Sequence, residues 1–305
     1  MNAPARRKTL KTERSWSSSE TALRLQPKQS TEKQQMALRH ENLIRFLLET
    51  TSQGETIQYI PNPGNAGDSL IALGTLKLMD SLGLRIRLRN LTETFSKNDR
   101  IFYGGGGNFV PYYSQCRNFI RRNMHVQQLV LLPHTVHKQH DVLKEIGPNM
   151  VLFARERRSF QHLTQHMRYP ENARIDHDLA LAIGPTTIRS LIKNDWGPGS
   201  GCLHAFRTDK EATEIEIPPD NRDLSLMRES TSFTKTQECI IENSRAMFKA
   251  IASYAEIKTN RLHIAIAAAL LGKKTVLHKN SYFKAREIYR YSLRQYFPNL
   301  KFHNG

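Results

Sequence analysis

The stretch Ala255-Glu-Ile-Lys-Thr-Asn-Arg-Leu-His-Ile-Ala-Ile-Ala-Ala-Ala-Leu-Leu-Gly-Lys-Lys-Thr-Val-Leu-His278 decides the architecture. Ala255 to Lys258 reads as a short strand, Arg261 to Leu271 as a buried helix, and Thr275 to His278 as a second strand. Gly272 supplies the stop between helix and strand. Strand, covered helix, strand is the unit from which parallel sheets are built. Arg261 and His263 fall in the first helical turn, where unpartnered amides and the helix dipole favour an anion. A guanidinium at that place adds planar, bidentate recognition of phosphate or carboxylate.

The same alternation runs upstream. Apolar spacing from Ala37 predicts a helix that stops before Gly54. Strands are then expected at Thr56 to Ile60, Arg85 to Leu88, Ile101 to Tyr103, Gln128 to Leu132 and Met150 to Ala154, with helices between them. Gly184 to Gly201, rich in Gly and Pro, reads as a joint. A second cycle follows, with a strand near Cys202 to Phe206 and a helix near Thr236 to Ser253. The expected fold class is α/β, with two Rossmann-like domains, 36–184 and 185–305, facing a cleft at their strand C-terminal ends. The last helix is expected to pack back on the first domain. Residues 1–35 are too polar to bury a core and are expected to be a disordered basic tail.

Composition narrows the function. The 305 residues are 39% hydrophobic, which excludes a disordered chain. The nearly unbroken apolar run Leu262 to Leu271 is about half a bilayer span. No apolar block follows Arg6, Arg7 and Lys8, so a secretory leader is not expected and the reading is cytoplasmic. Three widely spaced cysteines, Cys116, Cys202 and Cys239, match neither a zinc knuckle nor a redox dithiol. Net charge is +17, and residues 1–40 carry nine Lys or Arg against three Glu. A field of that sign favours anionic partners: nucleic acid, acidic lipid or phosphorylated metabolites.

Four further segments end strands with small or polar residues. Tyr59-Ile-Pro-Asn-Pro-Gly-Asn-Ala-Gly-Asp-Ser69 precedes a helix and offers Asn65, Gly67 and Asp68 to a ligand at the helix tip, although it matches neither the P-loop nor the dinucleotide fingerprint. Asp68 can equally be a helix cap. Ile101-Phe-Tyr-Gly-Gly-Gly-Gly-Asn-Phe109 brings bare backbone at Gly105 and Gly106, and Asn108, to the sheet edge. Leu131-Leu-Pro-His-Thr-Val136 and Phe153-Ala-Arg-Glu-Arg157 aim His134 and Arg155 at the same rim. Asp176-His-Asp178 lacks a third well-spaced ligand, so no metal site is assigned.

Taken in order, Gly64-Asn-Ala-Gly-Asp68, Gly104 to Asn108, Ala154-Arg-Glu, His177-Asp-Leu-Ala180, Phe206-Arg207, Asp223-Leu-Ser225, Arg261-Leu-His263 and Asn280-Ser-Tyr-Phe-Lys284 resemble the polysaccharide pyruvyltransferase family over about residues 55–295. The resemblance implies a fold like the two-domain GT-B glycosyltransferases, with the first domain on the acceptor side and the second on the donor side. It implies phosphoenolpyruvate as donor substrate, no resident cofactor, and a pyruvate ketal formed on an exopolysaccharide or lipid-linked oligosaccharide. Arg207, Arg261 and the Leu262 amide would hold the donor with Lys284, and His263 would be the acid or base at the reacting carbon. Relatives often carry a polar amide where this chain has His134, so His134 is either a second proton carrier or a neutral substitute.

The chemistry suits these side chains. Protonating the enol carbon creates positive charge at C2 that a sugar hydroxyl captures while losing its own proton, so a group titrating near neutrality is needed, and His provides one. The nearest rival is a GT-B glycosyltransferase using a nucleotide sugar, which shares the fold. A nucleic-acid-binding protein would show basic residues interleaved with an aromatic platform, and that pattern is absent from the sequence. The charge without a membrane span points instead to docking on an anionic membrane face, where lipid-linked glycans are built.

Overall fold

The computed structural model describes residues 31–52, 54–209, 211–226 and 234–304. Most of the expected tail, residues 1–30, lies outside them. The first helix, α1 (Glu32–Arg39), begins ahead of Ala37 because Thr31 and Gln34 form a reciprocal capping box. After α2 (Glu41–Thr50) come β1 (Thr56–Ile60), α3 (Ala66–Ser81), β2 (Arg85–Leu88), β3 (Arg100–Tyr103), β4 (Gly106–Phe109), α4 (Gln115–Arg122) and β5 (Gln128–Val136). Next are α5 (His140–Glu145), β6 (Met150–Ala154), α6 (Arg157–His166), β7 (Ala173–Ile175), α7 (Pro185–Ile192) and β8 (Cys202–Ala205). The chain closes with α8 (Gln237–Ala252), β9 (Glu256–Thr259), α9 (Leu262–Leu270), β10 (Lys274–His278), α10 (Lys284–Ile288), α11 (Arg294–Tyr296) and β11 (Leu300–His303).

Among the described residues, seven strands form the first sheet in the order β2-β1-β3-β5-β6-β7, with β4 on β5, and four form the second in the order β11-β10-β9-β8. Every pairing is parallel. In the first sheet Ile60 stands opposite Tyr103 and Tyr103 opposite Leu131. In the second, Ala205 stands opposite Thr259 and Thr259 opposite Leu277. Strand C-terminal ends are thereby brought level in each sheet, and the loops that follow them share one edge.

Period-two alternation splits the first sheet's side chains between two cores. Ile60, Tyr103, Leu131 and Leu152 pack with Phe119, Leu143 and Leu163 of the helices on one face. Tyr59, Phe102, Val130 and Phe153 belong to a second cluster that continues through α3, α8 and α9 to Leu203, Ile257 and Leu277 of the other sheet. The two sheets thus share a buried helical layer. That layer explains why α9 is apolar all round, and no helix among the described residues is long and apolar enough to cross a membrane.

Several elements differ from the sequence reading, the short strand β7 among them. The glycine run does not stay a loop: Gly106–Phe109 pairs with the extended end of β5. The supposed joint contains α7, started by Pro185 in the first turn. At the C-terminus β11 adds an edge strand, and the helical stretch before it touches the first half, where His177 meets Ser292 (2.7 Å) and stacks on Tyr291.

Candidate active site

Loops after β1, β4, β6, β8 and β9 converge on a cleft of about 240 Å³. Among its lining residues are Asn65, Gly67, Asp68, Asn108, Arg155, Arg207, Arg261, Leu262, His263 and Lys284, drawn from both sheets. Ten of the candidates named from sequence are therefore neighbours in space. The tip of α9 opens into the cleft, and its first turn has no side-chain cap, which leaves the amides of Leu262 and His263 for a ligand.

His263 sits between the two halves. Its Nε2 lies 3.4 Å from Asp178 Oδ2, and its side chain is 17% exposed toward the cleft. On the other side of the ring, a Cβ at Gly67 would lie 2.6 Å from His263 Nδ1, so the helix tip must be glycine for the imidazole to fit. Asp178 is buried and does three things: Oδ1 accepts from the Ala180 amide (3.0 Å), while Oδ2 accepts from Arg155 Nη1 (2.7 Å) and meets His263. Burial would raise the pKa of this carboxyl, but His263 and Arg155 outweigh it and hold it far below the usual range.

Asp68 is both cap and wall of the site. Oδ2 accepts from the Asn65 amide (3.0 Å) and Oδ1 from Asn62 Nδ2 (2.7 Å), while burial raises its pKa against the pull of His263. From Asn62 a buried chain runs inward: Tyr103 Oη donates to Asn62 Oδ1 (3.0 Å), Asn108 Nδ2 donates to Tyr103 Oη (3.2 Å), and Asn108 Oδ1 lies 2.9 Å from His134 Nε2. His134 is fully buried and stands behind Asn108, outside the cavity wall. The reason is that β5 runs on to Val136, which makes His134 an interior strand residue rather than a rim residue. Burial, then the charge of Arg155, press its pKa well below 6.5 and keep it neutral.

Gly105 and Gly106 also fall behind the wall. A Cβ at Gly105 would meet the Pro133 carbonyl oxygen at 2.7 Å, so it is a packing glycine. Gly107 is the member of the run that reaches the cleft, where a Cβ would press on Arg155 Nη2 at 2.8 Å.

On the second-sheet side, three basic groups are already engaged by carboxylates. Arg207 donates through Nε and Nη2 to Asp209 (2.7 and 2.9 Å) and through Nη1 to Glu211 (2.7 Å). Arg261 binds Asp223 in a two-pronged contact and reaches Asp209 through Nη1 (3.0 Å). Lys284 Nζ lies 2.5 Å from Glu211 Oε2, and Tyr113 donates to Glu211 Oε1 (2.9 Å). Burial draws the Lys284 ammonium down to about 8 despite Glu211, whereas Glu211 itself, which burial alone would raise, is held at about 2 by Lys284 and Arg207.

Sequence reading missed Asp178, Asp209, Glu211, Asp223 and Tyr113 as members of this site. Asp178 and Asp223 stood inside matched motifs without a role; Asp209, Glu211 and Tyr113 carried no local signal. The arrangement as a whole suits a small polyanion: four basic side chains and a helix tip around one cavity, with an imidazole poised beside them.

A structure of a functionally uncharacterised protein from Klebsiella pneumoniae subsp. pneumoniae is similar to this chain, with a TM-score of 0.75 and 27% identity over 86% of this chain and 98% of that one. No curated protein matches. The family model described as polysaccharide pyruvyl transferase matches residues 65–282, from the Asn65 cap of α3 to the threshold of Lys284, and the chain belongs to that family.

Proposed function

We propose that this transferase moves the pyruvyl group of phosphoenolpyruvate onto two hydroxyls of a sugar in an exopolysaccharide or lipid-linked oligosaccharide, giving a pyruvate ketal and inorganic phosphate. The observation that carries this reading is the meeting of Arg207, Arg261, Lys284 and His263 around one cavity. We read the two sheets as GT-B-like halves, with the acceptor on the side of Asn65, Asp68, Asn108 and Arg155.

In this scheme Arg207, Arg261 and the Leu262 amide hold the donor's phosphate and carboxylate. His263, paired with Asp178, gives a proton to C3. The resulting cation at C2 takes the first sugar hydroxyl, which loses its proton. Phosphate then leaves with the C2–O bond, and the second hydroxyl adds. One of the two hydroxyl protons replaces the one spent on C3, and the other departs with phosphate. Helix-tip amides and guanidinium groups stabilise the leaving phosphate, a contribution of about 2.7–4 kcal/mol per donor in comparable sites. His134, neutral and behind Asn108, positions the acceptor wall in this reading and carries no proton to substrate.

The basic clusters support a small-ligand reading over nucleic acid. Arg121 is paired with Asp141 and Glu145, Arg122 reaches the Leu91 carbonyl, and Arg158 lies over Phe283. We place the reaction in the cytoplasm, against an anionic membrane face; liposome flotation without preference for anionic lipid would remove the membrane part. The test of the function supplies phosphoenolpyruvate and a lipid-linked oligosaccharide pool, then follows phosphate and an acid-labile pyruvate mass gain. Arg261→Ala and His263→Ala should each abolish both signals with the fold intact. Release of a nucleoside diphosphate from a nucleotide sugar instead would make the chain a glycosyltransferase.

A further inference from the structure

His140, His162 and His166 form a cluster outside the cleft. Each can offer one ring nitrogen such that the three lie within 4.8 Å of one another. His162 and His166 stand one turn apart on α6, which puts both on the same helix face. His140 opens α5, directly after β5 and its connecting loop. The rings of His140 and His166 are 4.2 Å apart at their centroids, and those of His162 and His166 are 4.6 Å apart.

A hydrogen bond fixes which nitrogen His162 presents. Its Nε2 lies 2.6 Å from the Lys138 carbonyl oxygen and donates to it, so Nδ1 carries the lone pair. Metal-bound histidines show this arrangement, with the far nitrogen tied to a carbonyl so that tautomer and ring angle are set in advance. The carbonyl is aimed by an unusual piece of backbone: Lys138 and Gln139 are consecutive non-glycine residues at φ 59° and 66°. Left-handed residues in succession are costly for such side chains.

We propose that His140, His162 and His166 bind a divalent cation of the zinc class. Imidazole donors suit Zn²⁺, Cu²⁺ and Ni²⁺ rather than the hard cations that require oxygen. For a tetrahedral ion with metal–nitrogen distances of about 2.0–2.1 Å, ligand atoms stand roughly 3.3 Å apart. The three nitrogens, within 4.8 Å of one another, must draw together to reach that value, and His140 is the exposed member of the three. Three nitrogens leave a fourth position open. Lys138 and Arg158 border the adjoining cavity, so an anionic oxygen is the group best placed to fill it. This site is additional to the sequence expectation of no metal and independent of the pyruvyl-transfer reading.

The test uses the full chain without an affinity tag, stripped with a chelator and titrated with zinc sulfate under calorimetry. One tight equivalent is expected per chain. His140→Ala, at an exposed position where folding is not at risk, should weaken that equivalent by at least about tenfold, the scale seen for weaker perturbations of metal shells. His162→Ala with His166→Ala should remove it, with circular dichroism unchanged. Cobalt loaded in place of zinc should give the visible absorption of a four-coordinate nitrogen site in the parent and lose it in the double variant. Absence of a tight equivalent in the parent, or its survival in the double variant, would overturn the site.

Discussion

Glu211 Oε2 lies 2.5 Å from Lys284 Nζ, and the same oxygen accepts from Arg207. A carboxylate of the protein therefore occupies the basic groups that an anionic donor would need. Any phosphate entering the cleft competes with Glu211, so Glu211→Gln should bind inorganic phosphate more tightly, by roughly tenfold, while unfolding at lower temperature. Leaving Lys284 and Arg207 without their buried partner costs on the order of 3 kcal/mol. Calorimetric phosphate titration beside thermal unfolding checks both halves, and weaker phosphate binding in the variant would show that Glu211 assists the anion instead of opposing it.

Lys284 sets an upper pH limit on anion binding. Its folded pKa, drawn by burial to about 8, lies below the ordinary 10.5. Glu211, Arg207 and Arg155 face it, and the ring of Tyr282 lies 5.0 Å from its Nζ. Phosphate affinity should fall as pH rises through about 8 and the ammonium loses its charge. Protein stability moves the other way over about 8 to 10.5, because the unfolded chain binds the extra proton there. Lys284→Arg keeps the charge and should flatten the affinity profile over that interval, measured by phosphate binding at a series of pH values.

Asp178 and Glu211 carry the acid limb. Both carboxyls have folded pKa values below their unfolded ones, the first through His263 and Arg155 acting against burial, the second through Lys284 and Arg207. Their stabilisation is complete above the unfolded values near 4 and is lost as pH falls toward about 2 and below. Asp178→Asn should flatten the loss of stability in that window. The same variant removes the charge behind His263, and pyruvyl transfer should drop by about 100-fold or more while phosphate binding is largely kept. An unchanged turnover number would separate His263 from the chemistry.

Arg261 and His263 were legible in the sequence because their chemistry and their placement are both local: two polar residues at the start of an all-apolar helix. Asp178 was not, since its meeting with His263 depends on how the turn Leu179–Ala182, which Asp178 caps, packs against α9. Asp209, Glu211 and Asp223 escaped for a related reason, because a net charge of +17 hides the few acids that balance a basic cluster. His134 was misplaced by stopping β5 at Leu132, whereas pairing with β4 and β6 continues past Pro133. Most strands followed from alternation, whereas β7 and β11 were not expected, β4 was obscured by its glycines and α7 by the Gly and Pro around it.

Gly67 offers a test in which stability and activity part. It lies in the first turn of α3, and Ala there should favour the helix by roughly 0.5–1 kcal/mol. The added Cβ would stand 2.6 Å from His263 Nδ1 and 3.0 Å from Asn65 Oδ1, so the imidazole must swing away from its place between Gly67 and Asp178. Gly67→Ala should therefore keep or slightly raise the unfolding temperature while lowering turnover by about tenfold to 100-fold, the scale of a misplacement near 1 Å. Phosphate affinity should change little, because Arg207, Arg261 and Lys284 stand on the other sheet's loops. Parallel thermal unfolding, phosphate titration and pyruvyl-transfer assays read the three effects. Full turnover in this variant would mean that His263 works from a different orientation than the one it holds against Asp178.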